Sequence, residues 1–95
     1  MNDNLRGFLR TYLSYEMADD TSGYLRPTLH SCNEAYVEAV RSGLRSILDD
    51  RSMSVDDYIA VTDVEFEDEK SLYRYLEDLY AYLFENAAQQ PSPPA

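Results

Sequence analysis

The stretch Asp68-Glu69-Lys70-Ser71-Leu72-Tyr73-Arg74-Tyr75-Leu76-Glu77-Asp78-Leu79-Tyr80-Ala81-Tyr82-Leu83-Phe84-Glu85-Asn86-Ala87 decides the fold. Leu72, Leu76, Leu79 and Leu83 recur at intervals of three and four and form one seam, the spacing of an amphipathic helix. Tyr73, Tyr75, Tyr80 and Phe84 flank the seam. On this reading Tyr73, Tyr75 and Tyr82 cannot all share one buried stripe, so some of them are expected at a surface. A helix over about 68–87 needs other helices to cover its seam.

Those helices are found upstream. Leu5, Phe8, Leu9, Tyr12 and Leu13 keep the same periodicity and predict a helix from Leu5 to about Met17, capped by Asp3 or Asn4. Ala18 to Gly23 breaks it. Tyr24 to Cys32 is ambiguous, and a short helix or irregular connector with Pro27 in its first turn is favoured. From Asn33 to Asp49, Tyr36, Val40, Leu44, Ile47 and Leu48 mark another helix, with Ser31 or Asn33 as cap. Gly43 inside it predicts close approach by a neighbouring helix. Ser54-Val55-Asp56-Asp57 has the form of a helix start, with Ser54 as cap and an acid three residues on. That helix should end near Val61 or Thr62. Val61 to Phe66 alternates apolar and polar residues, but a lone short strand has no evident partner, so a loop is expected. The fold class is therefore all-α: a small bundle of three main helices plus one or two short ones. It forms one domain over residues 1–87, followed by an unstructured, proline-rich tail over 88–95.

Charge is the unusual property. Eighteen Asp and Glu oppose eight Lys and Arg, a net charge of -10 with a pI near 4.2. Residues 49–85 hold twelve acids against three bases, and residues 1–48 six against five. The densest stretch is Asp63 to Glu69. Direct binding of nucleic acid or of anionic lipid is disfavoured. Like charges so crowded repel one another in the folded chain, and a basic protein partner would relieve that repulsion and be steered to it. The expected partner-binding face comprises Asp56, Asp57, Tyr58, Asp63, Glu65, Glu67, Asp68 and Glu69. In it Tyr58 serves as the aromatic anchor, offering apolar area with a hydrogen-bonding tip.

Little else carries chemistry. His30-Ser31-Cys32 holds the single His and the single Cys. Residues two apart face away from each other on a helix, and no further His or Cys completes a zinc site. Asp63, Glu65 and Glu67 are spaced like the first ligands of an EF-hand. Asp68 then stands where that loop needs Gly, and Arg74 where it needs a bidentate Glu. No enzyme, cofactor or metal is expected. The lone Cys, the absence of a signal-peptide pattern and the lack of a long apolar run point to a cytoplasmic protein, monomeric when free.

The chain resembles the small acidic immunity proteins of bacterial contact-dependent inhibition and related polymorphic-toxin systems. The likeness lies in Leu5-Arg6-Gly7-Phe8-Leu9-Arg10-Thr11-Tyr12-Leu13, in Ser54-Val55-Asp56-Asp57-Tyr58, and in Phe66 followed by Ser71-Leu72-Tyr73-Arg74-Tyr75-Leu76-Glu77-Asp78-Leu79. The resemblance implies binding to a cognate toxin domain, often a basic nuclease, whose active site or substrate surface is blocked. Two alternatives share the composition: a DNA-mimicking inhibitor of a host defence nuclease, and an oligomerisation or scaffold module with a self-associating Tyr seam.

Overall fold

A computed structural model describes residues 1–94, so Ala95 of the expected tail lies outside the described residues. The chain forms five helices: α1 (Asp3–Tyr12), α2 (Leu25–His30), α3 (Glu34–Asp50), α4 (Val55–Thr62) and α5 (Glu69–Phe84). No strand occurs among the described residues. No helix of the described residues is long and apolar enough to cross a membrane. The all-α bundle expected from periodicity is the observed architecture. α3 packs against α1 on one side and α5 on the other, and α1 also meets α4.

Each helix begins where a side chain can accept from its free backbone N–H groups. Asn2 Oδ1 accepts from Leu5 N at 2.7 Å, Asn33 Oδ1 from Tyr36 N at 2.8 Å and Asp68 Oδ1 from Ser71 N at 2.8 Å. At α4 the arrangement is reciprocal, since Ser54 Oγ accepts from Asp57 N and Asp57 Oδ2 from Ser54 N, both at 3.0 Å. The ambiguous segment resolves as the short helix α2, with Pro27 in its first turn.

α1 stops well short of Met17. Its seam survives, with Leu5, Phe8, Leu9 and Leu13 fully buried. A tertiary bond ends the helix: Tyr15 N donates to Thr62 O at 2.8 Å, drawing the chain toward the end of α4. Gly43 meets α1 as its sequence suggested. A Cβ built there would lie 2.7 Å from Asn2 Nδ2 and 2.9 Å from Leu5 Cδ2.

The expectation that Tyr73, Tyr75 and Tyr82 could not share one buried face is overturned. Leu72, Tyr73, Tyr75, Leu76, Leu79, Tyr80, Tyr82 and Leu83 are all buried. Counted at about 100° per residue, they span roughly 180° of the helix circumference. Neighbours cover that width on several sides, so α5 is a central element with only one outward half. Arginines complete the cover. The guanidinium of Arg26 lies 4.4 Å from the ring centre of Tyr82, that of Arg51 4.7 Å from Tyr73 and that of Arg45 5.1 Å from Tyr80. Such stacking contributes about 0.5–2 kcal/mol per pair.

The C-terminal end of α5 carries no basic residue of its own. α2 provides the substitute from a distant part of the chain. Arg26 Nη1 donates to Tyr82 O at 2.8 Å and to Ala87 O at 2.9 Å, and His30 Nε2 lies 2.8 Å from Leu83 O. A carbonyl only accepts, so this contact places a proton on Nε2. These bonds occupy otherwise free carbonyls and put positive charge at the negative end of the helix dipole. The residues beyond α5 have no regular secondary structure, but they do not leave the domain as expected. Gln90 is buried, and Pro91 and Pro93 are half-buried.

Candidate functional site

The turn from α4 into the following loop builds the site. Thr62, buried, donates its hydroxyl to Tyr58 O at 2.8 Å and accepts from Val64 N at 3.1 Å. Asp63 then adopts a left-handed backbone with φ of 61° and ends α4. From there the chain alternates strictly: Val64 and Phe66 point inward and are buried, while Asp63, Glu65 and Glu67 point outward and are exposed. The period-two pattern in the sequence is real, although no strand forms. An irregular extended segment has the same alternation of sides as a strand.

These three carboxylates line a groove of about 650 Å³ together with Asp19, Tyr15, Ala18, Val64 and Phe66. Asp19 and Tyr15 reach it because the Tyr15–Thr62 bond folds the segment after α1 against the end of α4. Tyr15 is 73% exposed, far more than any other aromatic residue. Nothing in the linear sequence joins Asp19 to Asp63; only that backbone bond does. Beneath the groove lies an aromatic trio: Phe66 and Tyr75 have ring centres 5.2 Å apart, Tyr58 and Phe66 5.7 Å, and Tyr58 and Tyr75 6.4 Å.

Tyr58 is therefore not a surface anchor. It is fully buried. On α4 it shares the inward face with Thr62, one turn away, while Asp56 and Asp57 take the outward face. The exposed aromatic residue beside the acids is Tyr15. Burial pushes the phenol pKa values of Tyr58 and Tyr75 upward, and neither hydroxyl has a hydrogen-bond partner.

The remaining expected residues are exposed but are not brought together at the groove. Asp56 and Asp57 start α4, about 12 Å along the axis from its other end. Asp57 lines a separate cleft of about 400 Å³ with Arg6 and Arg10, where the charge is mixed. Asp68 caps α5, and its carboxyl is held below the usual carboxylate range first by the Ser71 bonds and then by the fields of Lys70 and Arg74. Asp57 is lowered in the same direction by its bonds with Ser54. These two acids have local structural work. Glu69 lies in the first turn of α5.

The arginines lie elsewhere. Arg41 pairs with Glu38, Arg45 with Asp49 at 2.9 Å and Arg51 with Glu77 at 3.7 Å. Among the described residues, no Lys or Arg comes within ion-pair distance of Asp19, Asp63, Glu65 or Glu67. The groove is thus an uncompensated cluster of negative charge on a partly apolar floor. His30 and Cys32 do not join in any site. His30 faces the end of α5 and the ring of Phe84, and the exposed Cys32 thiol lies 3.6 Å from Thr28 O. No protein-family model, curated protein or solved structure matches the chain.

Proposed function

We propose that the protein is a toxin-neutralising immunity protein that binds a basic toxin domain, a nuclease in the first instance, through the Asp19–Asp63–Glu65–Glu67 groove. One observation carries the reading: four exposed carboxylates meet in one groove with no basic partner of their own. Arg and Lys side chains of a partner would enter the groove, and Tyr15 on its rim would bury against the partner's surface. Carboxylates there take the place of the phosphates that a nuclease engages. The protein acts by occupying a surface and performs no reaction itself.

The test uses the unmodified chain and the variant Glu65→Lys/Glu67→Lys as baits in extracts of the source cell, washed at low and then high salt. The expected result is one basic protein retained by the unmodified chain, released by salt and absent from the variant. Adding the unmodified chain to that purified protein should then abolish its nuclease activity, while the variant does not. Retention by both baits alike, or activity untouched by the chain, would overturn the reading. Inhibition of a nuclease encoded away from this gene would reassign the protein as a DNA mimic directed at a defence nuclease.

A further inference from the structure

The residues after α5 cross the surface that the acidic loop occupies. Pro93 and Pro94 line the acidic groove beside Glu65 and Phe66. Pro91, Ser92 and Pro94 line an adjoining groove of about 230 Å³ with Phe66 and Tyr75. The two grooves share Phe66 and Pro94, so the segment lies across an aromatic floor.

What holds it there is weak. Among the described residues, no hydrogen bond joins 88–94 to the rest of the molecule; the last anchor is Ala87 O, held by Arg26. Gln90 Oε1 is buried without a partner, which opposes the closed arrangement. The attraction is thus that of proline rings for an apolar, aromatic surface. Aromatic-lined grooves bind proline-rich segments in this way, because such segments are already extended and lose little entropy. The chain's own segment meets only half of what this surface offers. Residues 88–95 contain no Lys or Arg, and Asp63, Glu65 and Glu67 beside them have no counter-charge.

We propose that this surface is a docking groove for an extended, proline-containing segment of a protein partner with Arg or Lys next to its prolines. The chain's own Pro91–Pro94 is a weak internal competitor seated in that groove. The proposal rests on the acidic-groove reading above and specifies the kind of segment the groove takes. The prolines supply the contact with Phe66 and Tyr75, and the cations supply charge-assisted bonds to the carboxylates, which the internal segment lacks.

Two full-length proteins test it: the unmodified chain and the variant Pro91→Ser/Pro93→Ser/Pro94→Ser. The probes are a dye-labelled peptide Arg-Pro-Ser-Pro-Pro-Arg and a control Arg-Ala-Ser-Ala-Ala-Arg of equal charge, followed by fluorescence anisotropy. A groove covered nine-tenths of the time lowers apparent affinity about tenfold, so the variant should bind the proline peptide about tenfold more tightly than the unmodified chain. Both proteins should prefer the proline peptide, and Glu65→Lys/Glu67→Lys should weaken it. Nuclear magnetic resonance of the unmodified chain gives a second readout that requires no folded variant: the peptide should shift the Phe66 and Tyr75 ring signals and move the Gln90 amide toward its random-coil position. Equal affinity of the two proteins, equal affinity for the two peptides, no binding, or unmoved ring signals would each overturn the proposal. If the control peptide binds equally well and loses affinity in Glu65→Lys/Glu67→Lys, the docking groove fails while the acidic-groove reading stands. If that variant also leaves capture of the basic protein unchanged, both fall.

Discussion

Tyr73 and Tyr58 are both buried tyrosines, yet their hydroxyls have opposite consequences. The Tyr73 hydroxyl accepts from Met53 N and donates to Met53 O, each at 2.9 Å, pinning the α3–α4 connector to α5. Tyr73→Phe leaves that buried N–H and C=O unpaired, and should destabilise the fold by about 1–3 kcal/mol in a urea titration. The Tyr58 and Tyr75 hydroxyls have no partner to lose. Tyr58→Phe/Tyr75→Phe removes two buried polar groups without leaving a hole of any size. Its melting temperature should equal or exceed that of the unmodified chain, and a clear drop would show that the hydroxyls are satisfied after all. Sequence placed Tyr58 at a surface because two acids precede it. The helical turn linking it to Thr62 decides instead, and that turn becomes visible only once α4 has fixed ends.

Between elements, the two helical glycines separate propensity from packing. Gly7 has nothing within 4 Å of a built Cβ, so Gly7→Ala should raise stability by up to about 1 kcal/mol. Gly43→Ala enjoys the same propensity gain but drives a methyl into Leu5 and Asn2. Asn2 can retreat only by giving up the α1 cap and its 2.9 Å bond to Ala39 O. Overpacking of this kind costs about 1–3 kcal/mol, so the net effect should be a lower melting temperature. The caps predict an acid dependence. The folded pKa of Asp68 is depressed, so its contribution is complete above the unfolded value near 3.9 and is lost as pH falls through the folded value. Asn at position 68 can still cap but does not titrate. The stability advantage of the unmodified chain over Asp68→Asn should therefore shrink below about pH 4 when both are unfolded in urea across that range. Helix seams, caps and the Gly43 contact were legible in sequence because each is set by spacing over a few residues. The early end of α1 was not, because the Tyr15–Thr62 bond that ends it spans the fold.

For the whole molecule, the excess of acid was legible but its partition was not. Alternation along Val64–Glu67 placed three carboxylates on one side, and the structure keeps them there. Asp19 and Tyr15 joined them through tertiary geometry, while Asp57 and Asp68 proved to be caps. The groove and the caps should therefore respond differently to charge reversal. Glu65→Lys/Glu67→Lys should slow association with a basic partner and flatten its dependence on salt while leaving the melting temperature level or higher, as repulsion is relieved. Asp56→Lys, on the far end of α4, should leave the association rate near that of the unmodified chain. Equal slowing by both, measured by stopped flow, would spread the binding face over the whole acidic half. Finally, α5 is the middle of the core and also the last helix made. Its end is gripped by residues 53 to 61 positions earlier. A nascent chain has every other helix available and nothing for them to close around, so on the ribosome it must wait as an open, protease-sensitive polymer until α5 emerges, and then collapse in a single late event.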